Sequence, residues 1–114
     1  MEKLLDLFKV LSDETRLRIA VLLAQGDLYV CQISGVLNIS QPKVSKHLSK
    51  LRDIGFVTDN RHERYVYYQL TKDNQLLTDF LSHILDNLES YPQLTADRIN
   101  LADKEKYLSQ CMCK

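Results

Sequence analysis

The chain has 114 residues, a length that fits one domain with a single small core. With 45% hydrophobic and 26% charged residues, three Gly and two Pro, the composition excludes a disordered, collagenous or repetitive protein. The longest apolar stretch, residues 19–24, is far shorter than the roughly 20 residues of a membrane-spanning helix, and charged residues interrupt the N-terminus where a signal peptide would be apolar. We therefore expect a cytoplasmic protein with no membrane partner.

Charge is unevenly distributed along a chain whose formal net charge is zero. Residues 1–40 carry four Lys or Arg against five Asp or Glu, residues 41–64 carry six against three, and residues 65–114 carry five against seven. Only the middle segment is basic. Its excess of three charges is small, so the positions of these charges must decide whether they are a solvated surface or a binding face.

Apolar residues at helical spacing predict two helices at the N-terminus. The first covers residues 4–11. The second has Ser12 or Asp13 as its N-cap, acidic residues in its first turn, where the helix dipole favours them, and Gly26 as its end.

Two further predicted helices form a helix-turn-helix. The third covers residues 29–37, and the fourth covers residues 41–54 with Ser40 as its N-cap and Pro42 in its first turn. Because only three or four residues separate them, the pair is typical of a helix-turn-helix motif.

The fourth helix has two distinct faces. Val44, Leu48 and Leu51 recur at helical spacing and are predicted to pack inward. Another face is polar and mostly positive, formed by Gln41, Lys43, Ser45, Lys46, His47 and Lys50. One side of this helix therefore packs, and the other presents groups that suit a polyanion.

The segment after Gly55 predicts a β-hairpin. The runs FVTDN and RYVYYQL are rich in β-branched and aromatic residues and flank a polar tip, residues 60–64, which carries Arg61, His62 and Arg64. Helices, a helix-turn-helix and a two-stranded hairpin in this order predict a mainly α, winged helix-turn-helix fold.

The C-terminal part predicts a long helix from Thr71 to about Tyr91, before Pro92. Its apolar stripe is too wide for one packing partner, which indicates a homodimer; the stripe consists of Leu76, Leu77, Phe80, Leu81, Ile84, Leu85 and Leu88. Thr95 is predicted to cap a last, mostly polar helical stretch. We thus expect a DNA-binding and dimerisation domain over residues 1–91 and a helical tail with a Cys-x-Cys pair over residues 92–114.

Duplex DNA is the partner that this arrangement favours, because the major groove accommodates one helix and a basic hairpin tip reaches the flanking backbone. Gln41 and Ser45, near the N-terminal end of the fourth helix, are the candidates for reading bases, and His47 and His62 belong to the same predicted surface. The residues that suit phosphates are Lys43, Lys46, Lys50, Arg61 and Arg64.

Two other interpretations remain open at this point. The polar face could be merely solvated, or the winged helix could be a protein-interaction module, which the near-zero net charge favours. An enzyme is not expected, because no Gly-rich phosphate loop, nucleophile elbow or paired-carboxylate cleft is visible.

Three stretches together resemble the ArsR/SmtB family of winged-helix, metal-responsive transcriptional repressors over about residues 4–90. They are SDETRLRIAVLL, DLYVCQISGVLNISQPKVSKHLSKLRDIGFV and RYVYYQL. The resemblance implies a homodimeric repressor whose affinity for operator DNA falls when an inducer binds, with the long C-terminal helix in the dimer interface. One departure lies at the tip of the wing, where the family commonly has Gly and this chain has Glu63.

The zinc-type inducer site of the family does not carry over. It resembles D-x-H followed by H-x-x-[EH], whereas residues 70–74 of this chain read LTKDN, without the first His. His83 with Asp79 and Asp86 could hold a hard or borderline cation, but a His at helical spacing among Leu and Phe is more often an interface residue. We do not take this group as the primary sensor.

The arsenic-responsive type fits better. Its third helix begins L-C-V-C, and residues 28–31 of this chain read LYVC, which retains Cys31 and lacks the first thiol. Cys111 and Cys113 could supply the missing thiols, and three thiolates suit As(III) or Sb(III), or alternatively Cd(II) or Pb(II). The predicted metal site is therefore Cys31, Cys111 and Cys113, with the tail supplied by the same subunit or, as we favour, by its partner.

Two alternatives to metal sensing remain. Cys31 could be a buried small hydrophobe beside an incidental tail, or it could form a disulfide or persulfide bridge with Cys111 or Cys113 in a redox- or sulfide-responsive repressor. A metal would release DNA only if it bound the DNA-incompetent dimer more tightly.

Overall fold

The structure, a computed structural model, describes the backbone of residues 1–62 and 65–112, and their side chains except those of 62 and 110–112. Its helices are α1 (Glu2–Leu11), α2 (Glu14–Leu23), α3 (Val30–Leu37), α4 (Gln41–Asp53), α5 (Gln75–Asp86), a 3-10 turn (Leu88–Ser90), α6 (Pro92–Leu101) and α7 (Lys104–Met112). Its strands are β1 (Leu28–Tyr29), β2 (Val57–His62) and β3 (Tyr65–Leu70). This order confirms the mainly α winged helix-turn-helix.

The sheet has three strands, not the two that the sequence predicted. The strand order is β1-β3-β2, with both pairings antiparallel. Strand β1 was missed because two residues cannot show an alternating pattern, and Tyr29, predicted as the start of α3, belongs to this strand. Strand β2 also extends through His62, which pairs with Tyr65, so Arg61 and His62 lie in the strand rather than at the tip.

The long C-terminal helix was predicted with the wrong ends. It begins after Asn74, whose side chain accepts a hydrogen bond from the backbone N–H of Leu77 at 3.1 Å. Thr71, the predicted cap, instead follows β3 directly, and its backbone N–H donates to the carbonyl of Phe56. The helix stops at Asp86, five residues before the predicted end, and a 3-10 turn follows.

Thr95 was also assigned the wrong role. It lies inside α6, which begins at Pro92, and its hydroxyl donates to the carbonyl of Leu88 at 2.7 Å. Proline suits this first helical position because its missing N–H would have no partner there. The tail predicted as one helical stretch is thus two helices, α6 and α7.

Two residues with left-handed backbone conformation lie on either side of α4. Asn38 ends α3 with φ 56°, a conformation that Asn tolerates better than most residues, and Gly55 follows α4 with φ 81°. Between them, α4 packs on α2 and α3 through side chains in the main core. The turn between α3 and α4 and the exit toward the wing are therefore both fixed by local backbone chemistry.

The helices after residue 91 pack directly on the helix-turn-helix. Arg18 of α2 forms a two-bond ion pair with Asp97 of α6, with both N–O distances 2.9 Å, and Arg18 also donates to the carbonyl of Leu37 at the end of α3. The Asp97 side chain is 3% exposed and accepts a further bond from Gln93. This buried pair holds α6 against α2 and α3. The division of the chain at residue 91 stays a prediction.

Helix α7 packs against α3. The buried side chain of Gln32, early in α3, donates to the carbonyl of Lys104 at 3.2 Å, and the Tyr107 ring lies beside Gly35, one turn further along both helices. Asn100 of α6 donates to the carbonyl of Val36 at 3.4 Å. The C-terminal helices thus contact α3 along most of its length.

No helix in the described part of the chain is both long enough and apolar enough to cross a membrane.

The Arg18–Asp97 pair gives a stability prediction. Asp97→Ala leaves a largely buried guanidinium without its counter-charge, so we expect the free energy of unfolding to fall by about 3 kcal/mol in a denaturant titration. Arg98→Ala, at the exposed neighbouring position of α6, is the control and should change it by less than about 0.5 kcal/mol. Equal losses in the two variants would contradict a stabilising role for the pair.

Candidate nucleic-acid interface

Helix α4 separates its two faces as the sequence predicted. Val44, Leu48 and Leu51 are completely buried. Five of the predicted DNA-binding residues are exposed on the same helix: Gln41, Lys43, Ser45, Lys46 and Lys50. Because the buried residues fix the rotation of the helix, the three lysines and the two short polar residues are held on its solvent side. This surface can offer hydrogen bonds and positive charge to a polyanion.

His47 lies differently from the other predicted DNA-binding residues of α4. Its side chain is 22% exposed, and its Nδ1 is 3.9 Å from a carboxylate oxygen of Asp13, at the start of α2. This nitrogen is buried and has no hydrogen-bond partner within the described part of the chain, since 3.9 Å exceeds hydrogen-bond distance. The Nδ1 edge of the imidazole therefore faces α2 and is not presented to DNA.

Asp13 is the N-cap of α2, one of the two candidates that the sequence offered. Its carboxylate accepts the backbone N–H of Arg16 at 3.0 Å. This hydrogen bond lowers the pKa of Asp13, helped by the positive charge of Arg16 and by His47 and opposed by partial burial. Asp13 thus connects the start of α2 electrostatically with the middle of α4.

An ion pair joins α4 to the wing. Arg52 Nη1 lies 3.0 Å from Asp59 Oδ2 on β2, and this hydrogen bond raises the pKa of Arg52. Burial, followed by the charge of Asp59, raises the pKa of the neighbouring Tyr68. The sequence showed no sign of this pair, because the two residues belong to different elements. Arg52 is therefore engaged within the protein, whereas Lys43, Lys46 and Lys50 form no ion pair with any other described residue.

The wing carries the remaining predicted DNA-binding residues. Arg61 is exposed on β2 and pairs with Val66 across the hairpin. The backbone of His62 ends the same strand, and Arg64 and Glu63 lie outside the described residues. Tyr29 brings β1 to the base of the wing through ring contacts with Tyr65 and Tyr67, at centroid distances of 6.3 and 5.7 Å.

Cys31 lies buried in the first turn of α3. Next to it, the Gln32 side chain accepts the backbone N–H of Tyr29 at 2.9 Å while donating to Lys104, so the start of α3 is tied to the start of α7. Sequence analysis overlooked Gln32; a polar residue inside an otherwise apolar helix face was its only signal.

Cys111 lies near the end of α7, the helix that packs against α3, and α3 carries Cys31. The meeting of Cys31, Cys111 and Cys113 in one site stays a prediction. The side chain of Cys111 and all of Cys113 lie outside the description. Within the described residues no three His, Cys, Asp or Glu side chains cluster as a metal site would need, including around His83.

Comparison with known proteins places these features in a family. A family model described as "Bacterial regulatory protein, arsR family" matches residues 13–59, which hold α2, α3 and α4. The arsenic resistance transcriptional regulator ArsR1 of Pseudomonas putida is 38% identical over 98 residues, which are 84% of this chain and 75% of that protein. The chain belongs to the ArsR family. It is accordingly a DNA-binding transcriptional repressor of this family.

Other members of the family show what the similarity covers. The arsenical resistance operon repressor of Escherichia coli is 46% identical over 68 residues, 59% of this chain and 58% of that protein. A CadC homolog of Staphylococcus aureus, a cadmium resistance regulatory protein, is 35% identical over 59% of this chain and 56% of its own length. Both matches span less than two thirds of the relative.

Solved structures agree on the fold. The structure of reduced HlyU from Vibrio cholerae has a TM-score of 0.68 and 29% identity, and the match covers 73% of this chain and 85% of that one.

The N-cap predicts a defined pH dependence. Since folding lowers the pKa of Asp13 below 3.8, its contribution to stability is complete above that value and is lost as the pH falls through the folded pKa. Asp13→Ala should cost about 1 kcal/mol near neutral pH, because the cap is removed. Asp13→Asn retains a cap that cannot titrate, so urea midpoints at about pH 6 and about pH 3 should differ less than in the wild type. An equal difference would rule out Asp13 as a source of the acid dependence.

Proposed function

We propose that this repressor is a homodimer that leaves its operator when As(III) or Sb(III) binds to Cys31, Cys111 and Cys113. The observation that carries the proposal is the position of Cys31, a buried thiol in the first turn of α3, which packs under the solvent-facing helix α4. A ligand on this thiol acts on the helix-turn-helix itself. Relatives that are named as arsenic resistance regulators support a thiophilic inducer.

DNA recognition is assigned to the exposed face of α4 and to the wing. Lys43, Lys46 and Lys50 neutralise phosphates, and Gln41 and Ser45, in the first turns of α4, reach base edges in the major groove. His47 contributes through the part of its ring that does not face Asp13. The wing contributes Arg61, His62 and Arg64 to the flanking backbone or minor groove.

A homodimer is supported by apolar surface on two helices. Leu5 and Phe8 of α1 are each 57% exposed, Leu4 of α1 is 37% exposed, and Leu76 of α5 is 45% exposed. Side chains of this size gain free energy when a second copy covers them, by about 25 cal/mol per Å² of apolar surface removed from water. The two copies of α4 in such a dimer would fit the two half-sites of an operator.

The choice of ion follows from the donor set. Thiolates prefer soft, thiophilic ions over Mg²⁺ or Ca²⁺, and three sulfurs match the trigonal geometry of As(III) and Sb(III). Cd(II) and Pb(II) also accept thiolates and remain the alternative inducers, an alternative that the cadmium-resistance relative favours. Because the thiol of Cys31 is buried, binding requires the first turn of α3 to move, and this movement is what a DNA-bound dimer would resist.

The DNA contacts can be separated by mutation. Lys46→Ala should weaken binding to operator and unrelated duplex by the same factor and reduce the slope of log affinity against log salt by about one, since one phosphate contact is lost. Gln41→Ala should cost about 1 to 3 kcal/mol on the operator and little on unrelated DNA. Fluorescence anisotropy at several salt concentrations measures both.

The matched control is Lys106→Ala, which removes an exposed lysine from α7 and should leave the affinity and the salt slope unchanged. Unchanged operator preference in the Gln41→Ala variant would refute base reading by Gln41.

The thiol site is tested by induction. Cys31→Ser and the double variant Cys111→Ser with Cys113→Ser should each bind operator like the wild type but remain bound when arsenite is added, because two thiolates or one cannot complete the site. A gel shift with and without arsenite measures this. Ser109→Ala, an exposed change on the same helix, is the control and should release DNA normally. Release by arsenite in both cysteine variants would refute the three-thiol site.

A redox- or sulfide-responsive repressor is the second candidate, favoured by the same buried thiol and by the resemblance to a regulator solved in a reduced form. Mass spectrometry without reductant distinguishes the two. The alternative would be selected by an oxidant that takes two electrons and two protons from the thiols, alone or together with sulfide, and releases DNA while joining Cys31 to Cys111 or Cys113, in a protein that arsenite does not release.

A further inference from the structure

The contact between His47 and Asp13 leaves one buried nitrogen without a hydrogen bond. His47 Nδ1 lies 3.9 Å from Asp13 Oδ2, and among the described residues it is the only buried side-chain nitrogen or oxygen that has no partner. Such atoms are rare in native proteins, because a buried polar group without a partner costs free energy. This nitrogen belongs to α4, the helix that is proposed to enter the major groove.

The charge of Asp13 determines which nitrogen of a neutral His47 carries the proton. The hydrogen bond from the backbone N–H of Arg16 lowers the pKa of Asp13 below 3.8, so this carboxylate is negative at every pH at which histidines titrate. A negative oxygen 3.9 Å away favours an N–H at Nδ1 and disfavours a lone pair there. A neutral imidazole with its proton on Nδ1 has a lone pair at Nε2, which can then only accept a hydrogen bond.

This form of the ring does not suit a phosphate. Because Nδ1 is buried, the 22% of the His47 side chain that is exposed belongs to its other atoms, and Nε2 is its only other nitrogen. A phosphate oxygen is itself negative and accepts hydrogen bonds, so it gains nothing from a lone pair at Nε2. A second proton, on Nε2, makes an imidazolium that faces Asp13 with one N–H and donates to the phosphate with the other.

The charges around His47 come from its own helix and from the elements that pack on α4, which are α2, α3 and β2. On α4, Lys43, Lys46 and Lys50 lie within about one turn of His47 and disfavour a positive ring. The other groups, besides Asp13, are Glu14, Arg16 and Arg18 on α2, of which Arg18 pairs with Asp97, the thiol of Cys31 on α3, and Asp59, Arg61 and His62 on β2, of which Asp59 pairs with Arg52. DNA shifts this balance, because its phosphates neutralise the lysines and place negative charge beside the ring.

We propose that His47 takes up a proton when this repressor binds DNA, and that Asp13 is the positioning residue that holds Nδ1–H while Nε2–H donates to a phosphate. This inference rests on the proposed assignment of α4 to DNA and adds a role for the N-cap of α2. Binding of DNA and of the proton then favour each other. Affinity for DNA is therefore highest at a pH at which histidines are protonated and falls as the pH rises.

The experiment measures the affinity of the full chain for a labelled duplex from upstream of its own gene and for an unrelated duplex of equal length, at about pH 6 and about pH 8. A phosphate contact does not depend on sequence, so the wild type should bind both duplexes about tenfold more weakly at the higher pH, as the loss of one charge-assisted hydrogen bond predicts. Titration calorimetry in buffers of different ionisation enthalpy counts the protons and should give an uptake of more than about half a proton per subunit at about pH 7.5.

Three variants separate this proposal from a structural role. His47→Gln retains a hydrogen-bond donor but cannot titrate, so the difference between the two pH values should fall below about twofold. Asp13→Asn retains the N-cap but removes the charge that holds Nδ1–H, so a neutral ring can carry its proton on Nε2 and the difference should fall below about threefold. His83→Gln, the same change at an exposed position of α5, is the control and should keep the wild-type difference.

The four proteins together decide between a proton-linked contact and a structural one. The inference is supported when the wild type and His83→Gln show the pH dependence and the proton uptake, and the other two variants lose both. It is overturned if His47→Gln keeps the wild-type pH dependence, or if Asp13→Asn lowers affinity by the same factor at both pH values, as a purely structural cap would.

The proposed DNA surface can fail separately from this inference. A wild type whose affinity is the same at both pH values overturns the inference alone, provided that Lys46→Ala still reduces the salt dependence. Unchanged affinity and unchanged salt dependence in both Lys46→Ala and His47→Gln would refute the assignment of α4 to DNA, and the inference with it.

Discussion

Complete burial of Val44, Leu48 and Leu51 is the constraint on which the proposed DNA-binding surface of α4 depends. These side chains lock the rotation of α4 against α2 and α3, so the helix has no freedom to choose which residues it exposes. A chain with no net charge can then still present a basic surface, because three of its nine lysines lie on the exposed side of one helix. Affinity for a polyanion depends on this local arrangement rather than on total charge.

Local pattern predicted the elements that depend on local physics. The faces of α4 followed from the helical period, and side-chain chemistry limited the cap of α2 to Ser12 or Asp13, of which Asp13 is the cap. The same reasoning failed at Thr71, because the backbone N–H of Thr71 bonds to Phe56 just beyond the sheet and the cap of α5 is Asn74, three residues later. Strand β1 could not be predicted from the sequence, because its two residues are a strand only through their pairing with β3.

The site was less predictable than the fold, because its decisive contacts join elements far apart in sequence. Asp97 and Arg18 are 79 residues apart, and nothing in either local sequence indicates that they form a buried pair. The same holds for His47, which the helical wheel places on the polar face but whose Nδ1 faces Asp13. The thiols were predicted from residue type and resemblance alone, and their meeting stays a prediction because spacing along the chain does not determine it.

Helix α3 connects the two halves of the proposed mechanism. It carries Cys31 in its first turn, leads into the turn at Asn38 that precedes α4, and packs against α7. Gln32 links the start of α3 to α7, because its buried side-chain amide accepts the backbone N–H of Tyr29 and donates to the carbonyl of Lys104. The contact of Gln32 with Lys104 therefore makes the packing of α7 and the first turn of α3 depend on each other, because a buried amide without a partner costs free energy. Under the proposed function, an inducer bound at Cys31 needs no direct contact with DNA to act on α4, because α3 packs against α4.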